Sequence, residues 1–269
     1  MKVLIIITKA GLCNRLQELL SYRMYGIQNS FDKIYFIWIN TTHCNGNILD
    51  YINNNIDNVK IISKGNHNND KFEQFILNNS LNKQCYGGEK LHLVYDEKNI
   101  YLHFHGGCGK HPLYKIIDPT IISFHHNILN EVNEYIKNNL GYDYVSFHLR
   151  QQDVSFYIDY DLLNNLIDKY NDRKIYIATD SINLQNKYKT ISNIVVNENI
   201  HYSWDCNRSN IKDAIFDMLI CSKSKIFCGT PNKNINNQSS YSNFIYGLRG
   251  VYEKSISEKL YNKHFVHIK

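Results

Sequence analysis

Tyr144-Val145-Ser146-Phe147-His148-Leu149-Arg150-Gln151-Gln152-Asp153 is the stretch that decides how this chain is read. Its first half is an apolar strand. Its second half carries an imidazole, a guanidinium and a carboxylate, which cannot continue a buried core. In open α/β sheets, ligands collect outside the carboxyl ends of the strands. An Arg at such a tip offers a planar fork of donors that matches phosphate oxygens. His and Asp can hydrogen-bond a base or a ribose, or hold the Arg in place. The pattern therefore suits a nucleotide diphosphate. A salt bridge that merely closes the strand end would use the same residues.

Outward from this stretch, the second half repeats strand and helix. Strands are expected at 144–149, 174–179, 193–196 and 225–229, and helices at about 160–170, 182–189, 209–222 and 240–248. Residues 125–139 place Ile128, Leu129, Val132 and Ile136 on one helical face, and Gly141 ends that helix. In the first half, Val3 to Ile7 reads as a strand. Residues 14–28 form an amphipathic helix through Leu16, Leu19, Leu20 and Ile27. Lys33 to Ile39 follows as a second strand, Ile48 to Ile56 as a short helix and Val59 to Ile62 as a third strand. From 65 to 125 the pattern is irregular, with strand-like runs at 90–95 and 99–104 and a flexible loop at Gly106-Gly107-Cys108-Gly109. The alternation predicts an α/β fold with parallel sheets. Two α/β halves and one continuous doubly wound sheet both fit it.

Three further segments bear on the chemistry. Gly11-Leu12-Cys13-Asn14-Arg15-Leu16 follows the first strand. Lys174 to Ala178 is a strand ending in Thr179, Asp180 and Ser181. Lys225 to Thr230 is a strand followed, after a polar loop, by Ser239-Ser240-Tyr241-Ser242 at a helix start. A helix N-terminus presents unpaired N–H groups and about half a positive charge. Phosphate binds there readily and serine hydroxyls add donors. Ser is also the usual capping residue. Asp159-Tyr160-Asp161 fits a D-x-D metal motif but opens a helix, where acidic residues are expected from the macrodipole alone.

In this order and spacing, the four segments resemble the GDP-fucose-dependent fucosyltransferases, the superfamily of α1,2/α1,6- and protein O-fucosyltransferases. The resemblance covers both ends and the second half, and is weak from about 40 to 140. It implies a GT-B-like α/β fold of two Rossmann-like domains facing a cleft: 1–140 on the acceptor side and 141–269 on the nucleotide-sugar donor side. It also implies an inverting, metal-independent transferase that moves fucose from GDP-fucose to a glycan or peptide hydroxyl, with no cofactor. Arg150 is then the catalytic residue that contacts the β-phosphate and steadies the departing GDP, since C1–O cleavage leaves negative charge on the diphosphate.

The same resemblance assigns His148 to guanine or its ribose and Asp217 to the guanine N1–H and N2–H edge. A solvent-facing Asp on an amphipathic helix also explains Asp217. Asp153 would orient Arg150, and Asp180 with Thr179 would line the cleft. Ser239, Ser240 and Ser242 would receive the pyrophosphate. Gly11, Asn14 and Arg15 would approach the donor phosphate from the opposite domain, although Cys13 stands where the family has a second Gly. The general base stays open among His103, His105, His111, Asp118 and Glu18. Another nucleotide sugar on the same scaffold, and a non-catalytic GDP- or glycan-binding protein, are the alternatives. A dinucleotide oxidoreductase is disfavoured, because no G-x-G-x-x-G follows a strand.

Composition narrows the classes further. With 269 residues and 43% hydrophobic content, the chain can bury one large core or two small ones. A net charge of +5 suits an anionic ligand, but no Lys/Arg-rich block argues for nucleic acid. Seven Cys, without a C-x-x-C pair, argue against a zinc ribbon and a fully paired secreted framework; Cys221 and Cys228 read as core residues. No stretch approaches the roughly 20 apolar residues of a membrane span. The first apolar run reads as a strand rather than a signal peptide. A soluble, cytoplasmic protein is expected.

Overall fold

The alternation folds as two five-stranded sheets rather than one continuous sheet. The structure is a computed structural model, and it describes residues 2–8, 11–41, 44–56, 58–64, 100–105, 117–151, 158, 160–197, 210–229, 239–250 and 266–268. The chain divides into two compact units, Met1–Phe124 and His125–Lys269.

In the first unit, β1 (Val3–Thr8) leads into α1 (Leu12–Gln28) and β2 (Lys33–Ile39). After a 3-10 turn at Ile48–Asp50 come β3 (Asn55–Ile56), β4 (Val59–Lys64) and β5 (Ile100–His105). The sheet order is β3-β4-β2-β1-β5, parallel except for β3. Helix α1 lies close on this sheet at Gly26, where an added Cβ would come within 2.3 Å of Ile34 Cδ1. The helix expected over Ile48 to Ile56 is a turn and a short strand instead. The Asn47 side chain accepts from Leu49 N at 3.1 Å and closes the turn. Asn58, at φ 51°, then lets Ile56 fold back on Val59 as an antiparallel pair. The run at 90–95 and the Gly106 to Gly109 loop lie outside the described residues.

In the second unit, α2 (His126–Tyr135) continues as a π turn at Ile136–Leu140, and Gly141 ends it at φ 71°. Then follow β6 (Val145–Leu149), α3 (Tyr160–Lys169), β7 (Ile175–Thr179), α4 (Ile182–Tyr188), β8 (Ile194–Val196), α5 (Ile211–Lys223), β9 (Ile226–Cys228), α6 (Ser240–Leu248) and β10 (Val266–Ile268). The order is β10-β9-β6-β7-β8, with β10 antiparallel to β9. The compact unit begins at His125, and α2 packs within it. The Tyr135 ring meets Phe216 at 5.2 Å and Tyr176 at 6.2 Å, and Glu131 pairs with Lys212 at 2.8 Å.

Both faces of this second sheet are covered, so β6 and β7 are buried throughout. On one face Val145, Phe147, Leu149, Ile175 and Ile177 pack with residues of α3 and α4. On the other, polar hooks hold α5. Tyr144 Oη donates to Ile220 O at 2.6 Å, and Ser146 and Ser224 share a bond at 2.7 Å. Arg249 Nη1 donates to Ser224 O at 2.7 Å and to Cys221 O and Ser222 O at 3.3 Å. A cation there closes the end of α5 and matches the negative end of its dipole. Cys221 and Cys228 are buried free thiols in this core. Among the described residues, no helix is long and apolar enough to cross a membrane.

Candidate functional site

The order of the second sheet reverses between β6 and β9. From β6 the chain winds through β7 to β8, then returns through α5 to place β9 on the other side of β6. A crevice at such a reversal, at the carboxyl ends of the strands, is where open α/β sheets bind ligands. The decisive stretch ends at this point: β6 delivers His148 and Arg150, and β9 leads toward the start of α6.

His148 faces the layer formed by α5 and α6. It is 5% exposed, its Nδ1 lies 2.7 Å from Ser242 Oγ, and its ring stands 4.7 Å from that of Tyr241. Burial first, and the Arg150 charge second, lower its pKa to about 3, so it is neutral at ordinary pH. Ser242 is wholly buried, and Gly229 makes that possible. A Cβ on Gly229 would stand 2.7 Å from Ser242 Cβ and 2.8 Å from its Oγ. Tyr246 Oη accepts from Gly229 N at 2.9 Å and fixes the approach from the other side.

Arg150 lies just past the strand, with its side chain 24% exposed and Nη1 3.0 Å from Asp180 Oδ2. Asp180 Oδ1 accepts from Gln151 N at 2.9 Å. Thr179 Oγ1 donates to Leu149 O at 2.7 Å. The Thr179-Asp180 pair at the end of β7 therefore locks the tip of β6 and orients the guanidinium. Sequence reasoning gave that orienting role to Asp153, which lies outside the described residues.

Ser239 is the N-cap residue of α6, yet its side chain makes no capping bond. A plain capping role therefore does not account for it. Ser240 is half-buried in the first turn, while Ser242 is turned inward to His148. Of the three serines, Ser239 and Ser240 keep the helix start and Ser242 joins the core.

Asp217 is not a solvent-facing residue of α5. It is 2% exposed, and its Oδ1 accepts from Tyr176 Oη at 2.5 Å and from Asn197 Nδ2 at 3.0 Å. Burial raises its pKa to about 7, against the lowering effect of those two bonds. The Tyr241 hydroxyl donates to Ala214 O on the same helix, so one tyrosine ties α5 to the His148 tip.

The first-unit motif is placed differently. Gly11 is the N-cap of α1 at φ −66°, with nothing within 4 Å of an added Cβ. Cys13 is a buried residue of the helix itself, so the missing second glycine has no conformational consequence. Asn14 is half-buried in the first turn. Arg15 is 0% exposed: it donates to Ile39 O, and to Thr41 Oγ1 at 2.8 Å, over the Trp38 ring at 4.8 Å. It is a clamp on the end of β2.

Of the general-base candidates, Glu18 is wholly buried on α1. Asp118 accepts from Thr120 N at 2.9 Å and caps the turn at Pro119–Ile121. His103 and His105 stand opposite Ile6 and Thr8 in the sheet register, and His111 lies outside the described residues. Among the described residues, no three His, Cys, Asp or Glu come together as a metal site; Asp161 is in the first turn of α3, and Asp159 is outside that set. Sequence reasoning missed Gly229, Tyr241, Tyr176 and Asn197. A glycine directly after a strand was the one visible signal.

No family model matches the sequence, and no curated protein matches it. Solved structures do match in fold: the mixed α/β architecture with parallel sheets is also that of several solved fucosyltransferases. A structure of NodZ α-1,6-fucosyltransferase soaked with GDP-fucose aligns over 92% of this chain and 93% of its own at 13% identity, with a TM-score of 0.55. Fucosyltransferase NodZ from Bradyrhizobium aligns over 100% and 99% at 12% identity and 0.57. POFUT1 in complex with GDP aligns over 93% and 95% at 10% identity and 0.57. At these identities the likeness is one of fold.

Proposed function

We propose that this chain is an inverting glycosyltransferase that moves fucose from GDP-fucose to a glycan or peptide hydroxyl, on a GT-B-like scaffold. The second unit is its donor domain and the first its acceptor side. The observation that carries the reading is the placement of an oriented, partly exposed guanidinium, Arg150 on Asp180, beside the strand reversal that also receives the uncapped start of α6. The fold shared with NodZ and POFUT1 supports it.

Breaking the bond between C1 and the diphosphate leaves negative charge on the GDP oxygens. Arg150 meets that charge with a planar fork, and Ser239, Ser240 and the helix N–H groups of α6 add donors. Neutral His148 fastens α6 to β6 through Ser242 and so keeps these donors beside Arg150. Asp217 accepts from the guanine N–H edge, which adenine lacks. Gly11 and Asn14, at the start of α1, are further candidate contacts for the donor phosphate. With this set of donors, transfer runs without a divalent metal.

GDP should raise the melting temperature more than UDP, dTDP or NAD at equal concentration. GDP-fucose should be hydrolysed to GDP in excess EDTA. Preference for UDP or dTDP would move the reading to another sugar donor. GDP binding without hydrolysis or transfer would leave a binding protein. Activity lost on chelation and restored by Mn²⁺ would bring Asp159 and Asp161 back as metal ligands.

A further inference from the structure

Asp217 presents its carboxylate asymmetrically. Oδ1 takes both internal donors, the Tyr176 hydroxyl from β7 and the Asn197 amide from just after β8. No hydrogen bond reaches Oδ2 among the described residues. A carboxylate oxygen has about two lone-pair sites, so two donors saturate Oδ1. Two donors from two different strands also fix the plane of the carboxylate. The Tyr176 ring is itself braced against Tyr135, at 6.2 Å.

We propose that Tyr176 and Asn197 are positioning residues for nucleobase selectivity, holding Asp217 so that Oδ2 alone is offered to the 2-amino edge of a guanine. The inference rests on the GDP reading above and adds residues to it. Guanine carries N–H donors at N1 and N2. Adenine has a lone pair at N1, which would face the carboxylate unfavourably. Hypoxanthine keeps N1–H and lacks only the 2-amino group, so inosine diphosphate isolates the contact in question. Without Tyr176 Oη or Asn197 Nδ2, Oδ1 is open to the ligand and the carboxylate can turn. The distinction between guanine and hypoxanthine then fades, while Asp217 itself is still present.

The test is calorimetric titration of the full chain with GDP, inosine diphosphate and ADP, in the wild type, Tyr176→Phe and Asn197→Ala. Wild type should prefer GDP over inosine diphosphate by about tenfold, the effect of one hydrogen bond to a charged group. In both variants that ratio should fall below about threefold, with ADP still excluded. If Tyr176→Phe does not fold, Asn197→Ala, at the strand edge, decides alone. Folded variants that keep the wild-type ratio would overturn the positioning role and leave the GDP reading intact. Equal wild-type affinity for GDP and inosine diphosphate would also overturn it. No wild-type preference for GDP over ADP would overturn the GDP reading and this inference together.

Discussion

Arg15 and Arg150 both stand near the carboxyl ends of parallel strands, and they end in opposite environments. Arg15 lies inside the first unit, 0% exposed, with its donors on Ile39 O and Thr41 Oγ1. Arg150 lies at the rim of the second, 24% exposed, oriented by Asp180. The local cause is the element each belongs to. Arg15 is in the first turn of a helix whose inner face covers β1 and β2, so its side chain is carried into the core. Arg150 follows the last residue of β6 and stays partly exposed at the strand's carboxyl end. Glu18 and Cys44 favour the charged form of Arg15 against its burial. A guanidinium enclosed in this way holds the fold together, whereas one at the rim can meet a ligand.

Substitution should separate the two. Arg150→Ala is expected to cut GDP release from GDP-fucose by about 10²–10³, the usual effect of losing one preorganised charge donor. Its melting temperature should stay near wild type. Arg150→Lys should not rescue turnover, because a point charge cannot replace the planar fork. Arg15→Met should do the reverse. Removing one member of a buried charged set costs about 3–5 kcal/mol of stability, and the protein that remains folded should turn over GDP-fucose normally. Initial rates and thermal melts on both variants check this. A stable but inactive Arg15→Met would place Arg15 among the donor contacts.

Gly229→Ala tests the second region more finely. Its Cβ would enter the space held by Ser242 Cβ and Oγ, at 2.7 and 2.8 Å. Overpacking of this kind costs roughly 1–3 kcal/mol. The displaced Ser242 should also loosen the His148 contact, so GDP affinity should fall along with stability. Gly229→Ala together with Ser242→Ala should recover part of the stability, read by chemical denaturation.

The fold was legible because periodicity and strand ends carry it. The helix faces at Leu16, Leu19 and Leu20 and at Ile128 and Val132 lie where the spacing put them. Every strand of the second sheet except β10 was visible as an apolar run. The helix over Ile48 to Ile56 failed because turn chemistry at Asn47 and Asn58 overrides an apolar count. The site was legible in its residue types and less so in their partners. That Asp180 holds Arg150 depends on β6 lying beside β7. That Asp217 meets Tyr176 and Asn197 depends on α5 crossing the sheet. Such pairings across 20 to 41 positions of sequence leave no local pattern.

The pH dependence of stability follows from two buried groups of the second unit. Burial raises Asp217 from 3.8 to about 7, so its contribution is fully present below 3.8 and is lost as pH rises through about 7. Burial lowers His148 from 6.5 to about 3, so its contribution is present above 6.5 and is lost as pH falls through about 3. Between 3.8 and 6.5 the two slopes oppose, and together they should leave the wild type nearly flat. Asp217→Asn removes one of them. Its stability should rise with pH across that window, as measured by urea denaturation at several pH values. A variant as flat as the wild type would remove one of the two groups from the balance. GDP affinity in the wild type should strengthen as pH rises through about 7, as Asp217 becomes an acceptor only.

The smallest effect is the most discriminating between a structural and a ligand-facing serine. Ser181 and Ser239 are both helix N-cap residues of the second unit. Ser181 Oγ accepts from Leu184 N at 3.4 Å, whereas the Ser239 side chain makes no capping bond. Replacing a working N-cap serine with Ala costs about 1 kcal/mol. Ser181→Ala should show a loss of that order and leave GDP binding unchanged. Ser239→Ala should cost less than about 0.5 kcal/mol, since no cap is lost. It should instead weaken GDP by about tenfold, as expected for a hydroxyl that donates to a charged phosphate. Denaturation curves and GDP titrations on the pair give four numbers. If Ser239→Ala behaves like Ser181→Ala, the start of α6 is an ordinary helix end and Arg150 must hold the diphosphate without it.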